Sequence, residues 1–310
     1  MQPLIAQAHQ QNTDRCAAVK TSVDAAGFAD QVHVSCDDGH AHLHSDSYPD
    51  HEMMTGIVGT NEQVPVPARD YTAPIPLQPT LTDVPKTRDS SLGVAVNGVP
   101  IFDYTGGGEM SVDDLYHHQT QHDTILTQQL DNCGGHAGRG DDYHYHRSPT
   151  CMIEQMKNAD DDPIIGWAFD GYPIYGDNAP DGTLIAADTL DVCNGQADET
   201  FGYRYHTSKD APYIIQCLMG DVADVRDLPR IEPLRPADGG RGKEPGRPPR
   251  GGVKDLVFTE DSAGMRSMTY IYQGEAYYMR YTPSETPNCY DFETRTVTDN
   301  GAVHSGEYCR

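Results

Sequence analysis

A segment written twice constrains this chain more than any other feature. Leu130-Asp131-Asn132-Cys133-Gly134-Gly135-His136, followed by Tyr143-His144-Tyr145-His146, returns without a gap as Leu190-Asp191-Val192-Cys193-Asn194-Gly195-Gln196 and Tyr203-Arg204-Tyr205-His206. Such self-similarity implies one supersecondary unit used twice, so an internal pseudo-repeat is expected over residues 130–152 and 190–220. The copies agree at Leu, Asp, Cys, Gly and both Tyr, where packing would sit. They differ where chemistry would sit: His136 becomes Gln196 and His144 becomes Arg204. The first copy keeps three imidazoles and the second keeps one.

Spacing gives the first copy a geometry. Side chains two apart in a strand share a face, so His144 and His146 project together, with Tyr143 and Tyr145 opposite. Gly138-Arg139-Gly140-Asp141-Asp142 is turn chemistry, able to fold His136 back beside the strand. Two same-face imidazoles plus a third make a three-ligand transition-metal site with an open position. The bland alternative is a set of hydrogen-bonded structural histidines.

The blocks Cys133–Cys151, Ile165–Gly176 and Gly93–Pro100, with Ser47-Tyr48-Pro49-Asp50-His51 before them and Ala211–Cys217 after, stand in an order that resembles the YHYH domain family. The resemblance spans about residues 30 to 220. It implies a secreted protein with metal binding, and no defined reaction. It raises His51, which lies in one of the blocks, as a further ligand. Gln196 and Arg204 depart from the family pattern, which argues against a second equivalent site.

Eight cysteines fall as local pairs, Cys16/Cys36, Cys133/Cys151, Cys193/Cys217 and Cys289/Cys309. Eight cysteines allow 105 connectivities, so sequential pairing is a preference. There is no Cys-x-x-Cys for a thiolate zinc site. Disulfides point to an oxidising compartment, hence a secreted, extracellular or periplasmic protein. The first residues have no basic n-region and too short an apolar run for a signal peptide, so this expectation rests on the cysteines. A net charge of −25, from 47 acidic against 22 basic residues, repels phosphates and excludes nucleic acid as a partner. No apolar run is long enough to span a membrane. Asp160-Asp161-Asp162 and Asp141-Asp142 make calcium a further candidate ion, although neither has EF-hand spacing.

The expected fold is mainly β (β-rich α+β): a disulfide-stapled, sandwich- or barrel-like domain with a few short helices. The chain divides into an N-terminal segment (1–29), the main domain (30–221), a Pro/Gly/Arg-rich linker (222–252) and a β-alternating C-terminal segment (253–310). Pro65, Pro67, Pro74, Pro76, Pro79 and Pro85 confine their stretch to edge strand or loop. Ser111–Leu130, opened by Ser111 with Asp113 and Asp114 in the first turn, is predicted helical, and Thr150–Asn158 a short helix. Ile164–Phe169 and Tyr213–Leu218 read as buried strands, and Gly93–Phe102 as a strand or turn punctuated by Asn97-Gly98. Gln273-Gly274 marks a hairpin.

The expected metal ligands are His136, His144 and His146, followed by His51, Asp170 and His206; His206 is placed to lean across the pseudo-symmetry axis to the first site. Asp170 has a rival role as an Asp-Gly turn former. His40, His42 and His44 alternate with Ala41 and Leu43, which reads equally as a second site or as the wet face of a half-buried strand. Of His117, His118 and His122, only the last two share a helical face. No Gly-x-Ser-x-Gly supports a nucleophilic hydrolase. Three functions follow: an extracellular copper- or zinc-binding protein; a structural matrix or filament-forming protein, homo-oligomeric through its C-terminal β segment; or a metal-dependent hydrolase or copper redox enzyme with Asp170 as acid or base.

Overall fold

The computed structural model describes residues 2–240 and 246–310. Residues 241–245, part of the Pro/Gly/Arg-rich stretch, lie outside the described residues. The chain is mainly β, with 33% strand against 11% helix, as the alternating patterns predict. Four disulfides close sequentially, Cys16–Cys36, Cys133–Cys151, Cys193–Cys217 and Cys289–Cys309.

The N-terminal segment is the first departure from expectation, because only short helices were predicted. It forms one long helix, α1 (Gln2–Ala26). Val19, Val23 and Ala26 recur at helical spacing and are buried. The helix stops at Gly27, whose φ of 94° needs no Cβ. There Phe28 N–H reaches the Val23 carbonyl at 3.1 Å and Gly27 N–H the Asp24 carbonyl at 3.1 Å, a double closure of the last turn. Ser22 Oγ accepts from the indole N–H of Trp167 at 3.0 Å, pinning α1 to the sheet it covers.

Strands β1 (His33–Cys36), β2 (His40–Ser45) and β3 (Tyr71–Pro76) make an antiparallel sheet in chain order. Pro74 and Pro76 lie on β3, an edge of that sheet, where a missing N–H costs no ladder bond. Ala41 and Leu43 point into the core while His40, His42 and His44 face outward. The histidine triplet is therefore the wet face of a half-buried strand. A two-stranded sheet joins β4 (Leu81–Lys86) to β13 (Leu218–Gly220).

The central sheet has eight strands: β5 (Gly93–Ala95), β6 (Pro100–Ile101), β7 (Gly135–Ala137), β8 (Tyr143–Tyr145), β9 (Ile164–Ala168), β10 (Pro173–Tyr175), β11 (Gly195–Asp198) and β12 (Gly202–His206). Their order is β11-β12-β10-β9-β5-β6-β8-β7. Read outward from the antiparallel β5·β9 pair, both halves are the same: a hairpin, a parallel neighbour, then an antiparallel edge. The two Tyr-rich hairpins thus occupy opposite edges. A short α2 (Thr150–Gln155) follows the first, as predicted.

A second six-stranded sheet is formed by β14 (Arg235–Pro236), β15 (Lys254–Glu260), β16 (Arg266–Tyr272), β17 (Glu275–Pro283), β18 (Cys289–Arg295) and β19 (Val303–Cys309), in the order β14-β19-β18-β17-β16-β15. The turn at Gln273-Gly274 joins β16 to β17 as read from the sequence. Tyr270 and Tyr281 of this sheet are buried and donate to Glu62 and to the Pro65 carbonyl, anchoring it to the loop that precedes β3.

Two secondary-structure expectations fail. Ser111–Leu130 is not a helix: it holds one 3-10 turn, Asp114–Tyr116, and then a run of turns. Side chains there compete for the backbone. Asp123 Oδ1 takes the N–H groups of Ile125 and Leu126 at 2.8 and 2.9 Å, and Thr127 Oγ1 donates to the Asp123 carbonyl at 2.6 Å. Tyr213–Leu218 is buried at Ile214, Ile215 and Cys217 but not extended throughout, because Tyr213 has a φ of 62° and strand pairing starts only at Leu218.

Candidate metal centre

Each Tyr-rich hairpin is assembled by an aspartate, buried in the first (Asp131) and half-buried in the second (Asp191). Asp131 Oδ1 accepts from Cys133 N–H at 2.9 Å and Gly135 N–H at 3.1 Å, and Oδ2 accepts from Met54 N–H at 2.7 Å and Tyr143 Oη at 2.8 Å. Burial pushes its carboxyl up to about 6 against those four donors. Asp191 repeats the pattern with Cys193 N–H, Gly195 N–H and Tyr203 Oη at 2.8, 3.0 and 2.8 Å. The tyrosine rings lie so close on Gly135 and Gly195 that a Cβ there would sit 2.6 and 2.1 Å from ring or hydroxyl atoms. That contact is why glycine stands at both places.

Across β7 and β8 the register pairs His136 with His144. The alternation holds: Tyr143 and Tyr145 turn to one side, and His136, His144 and His146 meet on the other. Their rings contact pairwise at centroid distances of 5.0, 4.8 and 4.8 Å. One ring nitrogen from each lies within 4.8 Å of the others, and all three residues are buried. Phe102 stacks on His144 at 3.9 Å and walls the cluster.

Hydrogen bonds fix which nitrogen of each ring is free. His146 Nδ1–H donates to the Asp103 carbonyl. His144 Nδ1 lies 3.2 Å from the Asp142 carbonyl and 3.3 Å from its carboxylate. His136 bonds the Gln129 backbone, and its Nε2 sits 3.1 Å from His146 Nε2. Carbonyl or carboxylate acceptors therefore hold the ring N–H groups and turn the opposite lone pairs toward one point, the arrangement that orients metal-ligating histidines. Two nitrogens bound to one ion at about 2.0–2.1 Å in tetrahedral geometry lie roughly 3.3 Å apart, close to the observed separation. Burial, and then the neighbouring imidazoles, hold His136 and His146 well below the ordinary imidazole pKa, so both are neutral at pH 7. Burial opposes ionisation of Asp142, but His144 and Arg310 outweigh it and keep its carboxyl below the usual range.

The cluster forms the floor of a cavity of about 530 Å³. Its walls carry Asp89, Ser90, Gln129 and Arg139, and residues 230–233 of the proline-rich stretch close one side.

The structure separates the other three expected ligands from this cluster. His51 lies on the tyrosine side, its Nε2 2.6 Å from Tyr145 Oη and its Nδ1 2.8 Å from the Glu52 carbonyl. It also neighbours Cys133 and Cys151, but their sulfurs are joined in a disulfide and offer no thiolate. Asp170 is fully buried and accepts from Tyr205 Oη, from Gly220 N–H at 2.8 Å and from Tyr172 N–H at 3.3 Å. Burial pushes its carboxyl up to about 6. His206 does not lean across to the first site; it belongs to the opposite edge, where its Nδ1–H donates to the Gly176 carbonyl at 3.0 Å.

One set of residues was missed. Phe102, Asp103 and Asn97, whose Nδ2 donates to Tyr145 Oη at 3.0 Å, support the first hairpin. Their counterparts are Tyr175, Gly176 and Asp170. The signal was present: Gly93-Val94-Ala95-Val96-Asn97-Gly98-Val99-Pro100-Ile101 and Gly166-Trp167-Ala168-Phe169-Asp170-Gly171-Tyr172-Pro173-Ile174 are a second matched pair. Gly98 and Gly171 turn alike, at φ 81° and 89°.

Residues 72–184 match the family model described as YHYH protein. The matched residues contain the three-histidine cluster and both Asn97 and Asp170; the Ser47–His51 and Ala211–Cys217 blocks lie outside them. Comparison with curated proteins and with solved structures finds no match.

Proposed function

From the YHYH segment at residues 72–184, we propose that this chain is an extracellular protein that binds one transition-metal ion, copper or zinc, through His136, His144 and His146. The observation that carries the reading is the convergence of three buried ring nitrogens, each freed by an acceptor on the other side of its ring. Neutral imidazoles suit copper and zinc, whereas calcium prefers oxygen ligands. Four disulfides support an oxidising compartment. Copper(II) loading followed by paramagnetic resonance tests the ligand set. Nitrogen couplings from imidazole, lost in His144→Ala/His146→Ala, are expected; an oxygen-only spectrum refutes it.

The cavity favours a second reading, a metal-dependent enzyme. A bound ion would supply Lewis-acid or redox chemistry at the cavity floor. Asp142 would hold His144 in one orientation, Phe102 would exclude water from one side, and Arg139 and Asp89 would meet a polar ligand. Asp170 has no part in this reading, since its carboxylate is occupied by Tyr205, Tyr172 and Gly220. Adding azide to the copper-loaded protein distinguishes the two. A changed spectrum indicates a position open to the cavity, and an unchanged one indicates a closed carrier site.

A further inference from the structure

The second hairpin matches the first position by position, including at the atoms that prepare a metal site. Gln196 pairs with Arg204 as His136 pairs with His144. His206 Nδ1–H donates to the Gly176 carbonyl as His146 donates to that of Asp103. Arg204 Nη1 donates to the Gly202 carbonyl at 3.1 Å, the place where His144 meets the Asp142 carbonyl. His206 is fully buried, and among the described residues its Nε2 has no hydrogen-bond partner. A lone pair is thus prepared and left unused.

Two further differences are coupled. Gly138 in the first hairpin leaves room for the His144 ring, since a Cβ there would lie 2.4 Å from Cε1. The corresponding residue of the second hairpin is Asp198, and its carboxylate accepts from Arg204 Nη1 at 2.6 Å. The Arg204 side chain is 2% exposed, and its Nε also has no partner among the described residues. We propose that the second hairpin is a coordination pocket closed by its own sequence: the Arg204 guanidinium, held by Asp198, takes the place of the His144 ring and puts a fixed positive charge where the first hairpin has a metal ligand. The chain then has one exchangeable cation and one covalent cation at opposite edges of one sheet. An inorganic anion on Arg204 and His206 is disfavoured, because Asp198 already occupies the guanidinium and Asp181 and Asp177 face the same groups.

This inference rests on the metal reading of the first hairpin, and the experiment separates the two. Gln196→His/Asp198→Gly/Arg204→His supplies the two missing imidazoles and the missing space. After loading with copper(II) or zinc(II) and removal of excess, the variant is expected to hold two ions per chain against one in the native chain. Adding His144→Ala/His146→Ala should return it to one. A folded triple variant that stays at one ion, while the native chain also holds one, overturns this inference alone. A native chain without metal and a triple variant with one ion would sink the proposed function and uphold the inference. If the triple variant does not fold, Arg204→Met and Arg204→Lys decide. Arg204→Met should melt several degrees lower, with Lys recovering most of the loss and added metal recovering none. Native-like melting of Arg204→Met, or its rescue by metal or by inorganic phosphate, overturns it.

Discussion

Replacing Asp142 by Asn keeps the shape of the side chain that holds His144 and removes only its charge. Asp142 is 5% exposed, and its carboxylate lies 3.3 Å from His144 Nδ1. An ion on the far nitrogen of that ring would stand roughly 7 Å from the carboxylate. At an effective dielectric between about 20 and 80, a doubly charged ion at that distance gains about 1–5 kcal/mol. Losing a carboxylate behind a ligating histidine typically weakens metal binding by about 10–100-fold, or roughly 1.4–2.8 kcal/mol, inside that range. Competition against a chromophoric chelator, with the melting curve as a control for folding, should therefore show Asp142→Asn binding about 10–100-fold more weakly with one ion still bound at saturation. Unchanged affinity would refute the reasoning that Asp142 tunes the site through His144.

Asp170→Ala strands Tyr205 Oη, Gly220 N–H and Tyr172 N–H inside the protein. At about 1–3 kcal/mol for each orphaned group, melting should drop by on the order of 10 °C with metal stoichiometry unchanged; a lost ion would make Asp170 a ligand after all. The apo protein should lose stability as pH falls. His136 and His146 have folded pKa values depressed below 6.5, so below pH 6.5 the unfolded chain binds more protons and stability falls by about 1.4 kcal/mol per unit for each. Denaturant titrations at pH 7.0, 6.0 and 5.5 should show a steeper loss than in His136→Gln/His146→Gln, and equal slopes would contradict the neutral, buried state of these rings. Cys133→Ala/Cys151→Ala opens a closure between residues 18 apart, worth about 3 kcal/mol. Because Cys133 borders the turn that carries His136, metal affinity should fall with stability; native affinity would show that the hairpin holds its shape unaided.

Local alternation made the centre legible. Tyr143-His144-Tyr145-His146 can satisfy a strand only by sending the imidazoles one way and the phenols the other, and the turn at 138–142 returns His136 to their side. What escaped depended on contacts distant in sequence. Asp170 looked like a ligand because acidic side chains are ligands in general, yet Tyr205 and Gly220 claim it from far along the chain. Its pairing with Asn97 was hidden because the Gly93–Ile101 and Gly166–Ile174 segments recur at a different offset from the Tyr-rich segments, so a search at one period finds only half the match. Ser111, Asp113 and Asp114 do begin a helical turn, but no apolar stripe follows to bury, and Asp123 and Thr127 take the backbone groups a longer helix would use. The helix Gln2–Ala26 was missed for the opposite reason: the apolar side chains seen buried on it, Val19, Val23 and Ala26, are small, and only their burial in the core reveals the face they share.

The central claim is tested most directly by the number of transition-metal ions per chain in protein loaded with copper(II) or zinc(II) and freed of excess, measured by elemental analysis beside His144→Ala/His146→Ala. The account predicts one ion in the native chain and none in the double variant, with all four disulfides intact in both. Full retention in the double variant would contradict it.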